Sequence, residues 1–342
     1  MLNRTDSIHV VCATDDGYVM PTGIMLTSLF ENNQAERLSV HVLTGGLSLR
    51  SKEQLMSIAD SYNQQLSLYT ISEDMVKHCP INNAWQQPHV ISLATYYRLF
   101  MTDLLPQTIS RVIYLDGDMI VRHSLRPLWE TDFENASIAV VPDQTCHISK
   151  PYNRLHYPQS LGYFNGGMLV VNLAKWRTTH LADRFAPYIK ENWHKLRCHE
   201  QDVLNFLLCN DKKILPLRWN AMEDTFLKPD CRMISWELDA EVEEAQRDPA
   251  IVHFTGSIKP WHRECHHPYQ PDFMRYESLS PWKGQRHRFS RGRYARFKLA
   301  LLYALSELHL VVPPPTYNYF RNRMPENNSF EEIRPAIKDD VL

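Results

Sequence analysis

Three groups of residues have the types and spacing that chemistry needs. The first is Asp116-Gly117-Asp118, which directly follows the apolar run Arg111–Leu115 (RVIYL). In an extended chain, residues i and i+2 point the same way, so the two carboxylates can face one ion. Hard divalent cations take oxygen ligands and share their shell with phosphates. The glycine between the acids leaves room for a ligand to approach. A surface turn is the competing reading, because Asp-Gly is a frequent turn dipeptide. An EF-hand calcium loop is excluded, since it needs oxygen donors at alternate positions and the next such position is Ile120.

The second group is His253-Phe254-Thr255-Gly256 followed by Lys259-Pro260-Trp261-His262. A histidine that ends a buried strand can complete a metal shell begun by two aspartates. A lysine on a glycine-containing loop suits a diphosphate. A core histidine and a solvated lysine are the plainer alternative. The third group is Glu200-Gln201-Asp202 at the start of a helical stretch, where acids ordinarily act as caps. Cys265, His266, His267 and His262 also cluster, but their spacing matches no standard structural zinc pattern, and a polar loop is the simpler reading.

The elements that must position these groups alternate in type. Ile8–Ala13 (IHVVCA) predicts a buried strand, bounded by the polar turn Thr14-Asp15-Asp16-Gly17. A helix is expected over Tyr18–Phe30, a strand over Leu38–Leu43, a helix over Ser48–Tyr62 and a strand over Leu66–Ile71. Further on, the pattern predicts a helix over Ser92–Leu104 and strands at Arg111–Leu115, Ser137–Val141 and Tyr163–Asn172. The last of these is interrupted by Gly166-Gly167, a mark of a bulge or a close backbone approach. Helices over Ala174–Lys190 and Gln201–Cys209 and a short strand at Ile251–Phe254 complete the reading. Strands alternating with helices imply an α/β fold with a mainly parallel central sheet flanked by helices. Ligands bind such sheets beyond the carboxyl ends of the strands, where Asp15 and Asp16 lie.

With 342 residues and 44% apolar content, the chain can bury a sizeable core. The formal charge of −2 gives no bias toward polyanions, so nucleic acid is not an expected partner. Seven widely spaced cysteines without a CxxC pair argue against a disulfide framework and fit a reducing compartment. No secretory signal is visible at Met1–Ser7, and the apolar run Leu299–Leu305 is too short to span a bilayer. Composition shifts near Pro281. We expect a main domain over 1–280 and a small basic helical tail over 281–342. Between Lys283 and Lys298 there are seven basic residues and no acid. Phe297, Leu301, Leu305 and Leu308 can share one helix face behind them. Such a segment suits an anionic membrane surface; a helix packed on the domain is the alternative.

Read in order, these pieces resemble glycosyltransferase family 8, the retaining galactosyl- and glucosyltransferases. Cys12-Ala13-Thr14-Asp15-Asp16-Gly17-Tyr18 looks like the family's nucleotide-binding segment, and Thr95-Tyr96-Tyr97-Arg98-Leu99 precedes the acid pair as it does there. Tyr114-Leu115-Asp116-Gly117-Asp118 looks like its DxD motif. Phe164-Asn165-Gly166-Gly167 with Asn172-Leu173 and Lys175-Trp176, then Gln201-Asp202-Val203-Leu204-Asn205, then His253-Phe254-Thr255-Gly256 with Lys259-Pro260-Trp261-His262 match its later blocks. Bacterial lipopolysaccharide and lipooligosaccharide core transferases look most similar. The resemblance covers roughly Ile8 to His262.

It implies a GT-A fold and transfer of galactose or glucose from a UDP-hexose, with Mn²⁺ or Mg²⁺, to a saccharide or glycolipid acceptor. By resemblance, Asp116, Asp118 and His253 hold the metal, and Lys259 with the Gly256 backbone meets the diphosphate. Asp15, Asp16 and their loop meet uridine. Arg98 and Asn165 meet the donor sugar, Gln201 lies beneath the anomeric carbon, and Glu200 or Asp202 stands close to the sugar hydroxyls. The implied setting is cytoplasmic, at the inner face of the membrane. Two positions depart from the family: Glu200 stands where Asp is common, and Gly17 where Asn is common. A nucleotidyltransferase fits less well, because the loop after the first strand is acidic rather than glycine-rich and basic. A non-catalytic sugar-binding relative would be expected to lose a metal ligand, and all three are present.

Overall fold

The computed structural model describes residues 6–80, 92–144, 150–232, 238–307 and 317. Nine strands are found among them: β1 (Ile8–Ala13), β2 (Leu38–Thr44), β3 (Gln65–Thr70), β4 (Arg111–Leu115), β5 (Met119–Val121), β6 (Ile138–Pro142), β7 (Phe164–Asn172), β8 (Lys212–Ile214) and β9 (Ile251–His253). Seven form one sheet in the order β3-β2-β1-β4-β7-β6-β8. The β2–β3, β1–β2, β1–β4 and β6–β8 pairs are parallel, whereas β7 runs antiparallel to both β4 and β6. The mainly parallel α/β expectation therefore holds. β2 is buried along its whole length, as a strand covered on both faces must be. The sheet divides two apolar clusters, with Ile8, Val10 and Cys12 of β1 on one side and Val11 and Ala13 on the other.

Eight longer helices flank the sheets: α1 (Val19–Glu31), α2 (Leu49–Ser61), α3 (Leu173–Thr178), α4 (Phe185–Asn192), α5 (His199–Leu207), α6 (Asp239–Arg247), α7 (Gln270–Ser278) and α8 (Arg293–Glu307). Two helix expectations need correction. The stretch expected as one helix over Ala174–Lys190 is α3 and α4, separated where His180 takes a left-handed conformation (φ 50°). That over Ser92–Leu104 is a 3₁₀ helix, Leu93–Phe100, with one α turn, Met101–Leu104. Its β-branched and aromatic residues hold an α-helix poorly. β5 and β8, of three residues each, are too short to show a period. α6 and α7 are mostly polar and show no apolar stripe in sequence.

β5 and β9 form a separate two-stranded antiparallel sheet, with Met119 opposite His253. Beyond the expected boundary near residue 280, the chain stays on the domain. Trp282 fills the space left by Gly23 of α1, where a Cβ would meet its ring at 2.1 Å. The backbone N–H groups of Ser290 and Arg291 donate to Glu264 Oε1, each at 2.9 Å. α8 then exposes Tyr294 (81%), Phe297 (69%) and Leu301 (48%), and Leu305 is half-buried; Leu308 of the expected face lies outside the described residues. The six described cysteines are free thiols; Cys146 lies outside them. No helix among the described residues is long and apolar enough to cross a membrane.

Candidate active site and metal centre

The acid pair sits where the chain leaves one sheet for the other. β4 ends at Leu115, opposite Met168 of β7, and Asp116 N–H donates to Gly167 O (2.8 Å). Asp118 then enters β5, and Phe254 N–H donates to Asp118 O (3.0 Å). Pairing of β5 with β9 thus delivers His253 to the acids, from a position 135 residues downstream of Asp118 (253 − 118). Asp116, Asp118 and His253 each bring one ligand atom, all within 4.8 Å of one another. His253 Nε2 lies 3.3 Å from Asp118 Oδ1 and 3.9 Å from Asp116 Oδ2.

The orientation of the imidazole follows from its other side. Asn220 Nδ2 donates to Asn165 Oδ1 (3.0 Å), which leaves Asn220 Oδ1 to accept from His253 Nδ1 (3.0 Å). A neutral His253 then carries its proton on Nδ1 and turns the Nε2 lone pair toward two carboxylates. Three acceptors facing one another call for a cation, and two carboxylates with one imidazole suit Mn²⁺ or Mg²⁺ better than a thiolate metal. Lys259 Nζ already answers part of that demand, donating to Asp118 Oδ2 (2.8 Å) and Phe254 O (2.6 Å). Burial opposes ionisation of Asp118, but Lys259, joined by His253 when that imidazole is protonated, outweighs it and holds the carboxyl well below its ordinary range.

The glycines serve this packing. A Cβ at Gly167 would meet His253 Cε1 at 2.4 Å and Asp116 Oδ2 at 2.8 Å, whereas one at Gly166 would make ordinary contacts with Arg98 and Gln201. The expectation that Gly117 leaves room for a ligand is corrected: its Cβ space is taken by Thr22 Oγ1 of α1, 2.3 Å away.

Beside the two acids and His253 stands Arg98, 3% exposed. Its Nη2 meets Asp116 Oδ1 (2.7 Å) and Glu200 Oε1 (3.3 Å), Nη1 donates to Gly166 O, and Nε donates to Thr95 O (3.0 Å). Glu200 also accepts the Thr95 hydroxyl (2.5 Å). Burial pushes its carboxyl up to about 7 despite Arg98 and Thr95. The next residue, Gln201, has its amide fixed at both ends. Oε1 accepts from Gly166 N (2.8 Å) and Asn165 Nδ2 (3.3 Å), and Nε2 donates to Asp143 Oδ2 (3.0 Å). His199, just before, is left-handed (φ 50°), a conformation costly for a residue with a Cβ.

Asp202 is fully buried, and its oxygens take the Arg154 guanidinium (2.5 and 2.9 Å), the Tyr163 hydroxyl (2.8 Å) and the N–H groups of Arg197 and Cys198 (2.7 and 2.9 Å). The last two bonds close the start of α5, which is the capping role of an acid there. Protein donors thus take the oxygens of Asp202, whereas Glu200, the other acid of this stretch, lies beside Arg98 and Asp116. Asp15 Oδ1 accepts from Tyr18 N (2.9 Å) at the start of α1, and Asp16 takes the backbone N–H (3.1 Å) and hydroxyl (3.0 Å) of Ser48 before α2.

The cysteine–histidine cluster does not gather around a point: His262 Nδ1 accepts from Lys259 N, and among the described residues the acid pair with His253 is the group whose geometry could hold a metal ion. Asn220 and Asp143, which orient His253 and Gln201, carry no local motif and were not anticipated.

Comparison with known proteins agrees with this geometry. The sequence profile of Glycosyl transferase family 8 matches residues 9–265. General stress protein A of Bacillus subtilis is 29% identical over 82% of this chain and 96% of its own length. A lipopolysaccharide 1,2-glucosyltransferase of Escherichia coli is 27% identical over 82% of this chain and 81% of its own. A lipopolysaccharide 1,3-galactosyltransferase of Salmonella typhimurium is 25% identical, over 81% and 80%. Among solved structures, the galactosyltransferase LgtC in complex with donor and acceptor sugar analogues superposes with a TM-score of 0.70 at 23% identity, covering 85% of this chain and all of that one. The architecture is thus of the GT-A kind that the motifs implied.

Proposed function

Because this chain belongs to glycosyl transferase family 8, we propose that it is a retaining, metal-dependent transferase. It moves galactose or glucose from a UDP-hexose to a saccharide acceptor of the lipopolysaccharide-core class. The carrying observation is the convergence of Asp116, Asp118 and His253 within 4.8 Å, one strand residue away from Gly166, on which Arg98 and Gln201 pack. The lipopolysaccharide transferases among the relatives support the acceptor class.

Asp116, Asp118 and His253 would hold Mn²⁺ or Mg²⁺, which when bound supplies Lewis acidity to a leaving diphosphate. Lys259 leaves Asp118 and turns its charge to the diphosphate beside the Gly256 N–H, where it stabilises the charge that develops as the glycosidic bond breaks. Asp15 and Asp16 present the loop that meets uridine. Arg98 holds Asp116 and Glu200 in one arrangement, and Asn165 supports both Gln201 and Asn220. Gln201, whose carbonyl is fixed by Gly166 and Asn165, contributes an oriented dipole rather than a nucleophile. Glu200 is paired with Arg98 and Thr95, and Asp202 is saturated, so neither is poised to form a glycosyl ester. This supports attack by the acceptor hydroxyl on the face that the diphosphate leaves. The exposed aromatic and apolar face of α8, flanked by Arg291, Arg293 and Lys298, supports work at an anionic membrane surface on its cytoplasmic side.

The test is UDP release from a panel of UDP-sugars with Mn²⁺, for the wild type and Asp118→Ala. One UDP-hexose is expected to be consumed, and the variant to lose at least about a hundredfold in rate, as when a transition-state charge stabiliser is removed. Hydrolysis that persists in Asp118→Ala, or that ignores chelation, would refute the metal reading.

A further inference from the structure

Glu223 begins a short 3₁₀ helix, Glu223–Phe226. Its N–H donates to Thr255 Oγ1 (3.1 Å), which lays its side chain against the next residue, Gly256. A Cβ at Gly256 would meet the carboxyl carbon at 2.6 Å and both oxygens at 2.8 Å. The carboxylate thus lies directly on the Gly256 backbone; burial pushes it up, and the charge of Lys259 works against that. Tyr317, from the C-terminal segment, donates its hydroxyl to Oε1.

The second oxygen, Oε2, is enclosed without a hydrogen-bond partner, and so is His267 Nε2, 4.0 Å away. His267 Nδ1 accepts from Tyr269 N (3.1 Å), so the proton of that buried imidazole is on Nε2. A carboxylate oxygen and an imidazole N–H therefore face each other, both unused, about an ångström beyond bonding reach. Enclosed polar groups are rarely left so. Glu223 instead sits against the Gly256 backbone, tied by Tyr317 and drawn by the charge of Lys259, and Gly256 and Lys259 are the two groups assigned above to the donor's diphosphate.

We propose that the Glu223 carboxylate is an internal anion standing in the diphosphate's place at Gly256, and that donor binding displaces it toward His267 Nε2. This rests on the donor reading given above. Its return to Gly256 after transfer helps to expel the UDP product, because the two anions compete for one place on the Gly256 backbone and one ammonium.

Calorimetric titration with UDP in Mn²⁺, and with uridine, decides the matter. Glu223→Gln keeps an oxygen for Tyr317 and the same shape against Gly256 but removes the charge. It is expected to bind UDP about tenfold tighter, the effect of losing one like charge at close range, with uridine binding unchanged. His267→Phe keeps the ring and removes the N–H; it is expected to weaken UDP binding severalfold in the wild-type background and not in Glu223→Gln. Equal or weaker UDP binding by a natively unfolding Glu223→Gln overturns the proposal and leaves Glu223 as a tie for the Gly256 loop. A tighter uridine affinity of the same size overturns it too, since the charge then acts elsewhere than at the diphosphate. If the wild type and Glu223→Gln both melt normally and neither binds UDP, the donor reading itself fails, and the competition with it.

Discussion

At the scale of single residues, the site depends on groups that only hold other groups. Asn220 touches no proposed substrate, yet its carbonyl fixes which nitrogen of His253 faces the acids. Outer partners of metal-bound histidines are typically worth ten- to a hundredfold in affinity. Asn220→Ala is therefore expected to weaken Mn²⁺ binding by about that factor, read from the Mn²⁺ concentration that gives half-maximal UDP release, while the rate at saturating metal is largely kept. Glu200 is the titrating member. Burial raises its carboxyl from 4.5 to about 7. Above that pH the ionised Glu200 shares Arg98 with Asp116 and pins it; below, Arg98 keeps Asp116 alone. The rate of UDP release is expected to rise through an inflection near pH 7 that Glu200→Gln removes. The sign for stability is opposite. The unfolded chain gives up this proton more readily, so the contribution is full below pH 4.5 and is lost as pH rises toward 7. Glu200→Gln should flatten that decline in thermal unfolding.

At the scale of elements, β7 does the most. Its pairing with β4 places Gly167 under Asp116, and its two glycines differ in what they permit. Gly167 has His253 and Asp116 within 2.9 Å of a would-be Cβ, while the nearest neighbour at Gly166 is at 3.4 Å. Gly167→Ala is expected to fold but to push apart the metal ligands, with metal-dependent UDP release falling at least about a hundredfold, as for other losses of oriented charge stabilisation. Gly166→Ala should stay within severalfold of the wild type, and equal loss in both variants would show that backbone freedom, not ligand packing, is what the pair supplies. The β5–β9 pair is three residues long, and its register sets Met119, next to the acid pair, opposite His253. Short elements without a period are where reading from sequence is weakest.

For the whole molecule, the question is where the domain ends and what its last helix is for. Trp282, His287, Ser290 and Arg291 all make contacts with the main unit. Beyond them α8 turns Tyr294 and Phe297 outward, at 81% and 69% exposure, among basic residues. An exposed aromatic face costs solubility unless something covers it, and the surrounding cations are the ground for the anionic surface proposed above. Replacing both Tyr294 and Phe297 with Asp is expected to abolish co-sedimentation with phosphatidylglycerol-containing vesicles and to leave UDP release in solution unchanged. Vesicle binding that survives both substitutions would assign the membrane contact to another face.

The sequence by itself determined a good deal. Strand period and helix alternation gave an α/β sheet, and the strand before Asp116-Gly117-Asp118 was legible because a buried parallel strand is a continuous apolar run. The ordered motifs gave the family. They also pointed to Asp116, Asp118 and His253, which the fold brings together, because local chemistry at a strand end survives as a short word in the chain. What the tertiary structure alone decided is which neighbours those words meet. The partners of His253 and Gln201 come from Asn220 and Asp143, distant in sequence and without a pattern of their own. Saturation of Asp202 by Arg154 and Tyr163 turns a candidate for chemistry into a support, and the space at Gly117 belongs to Thr22. The seat of Glu223 on Gly256 likewise depends on packing between segments. Spacing in a sequence records what one element does on its own, whereas hydrogen-bond partners and occupied volume exist only once several elements meet.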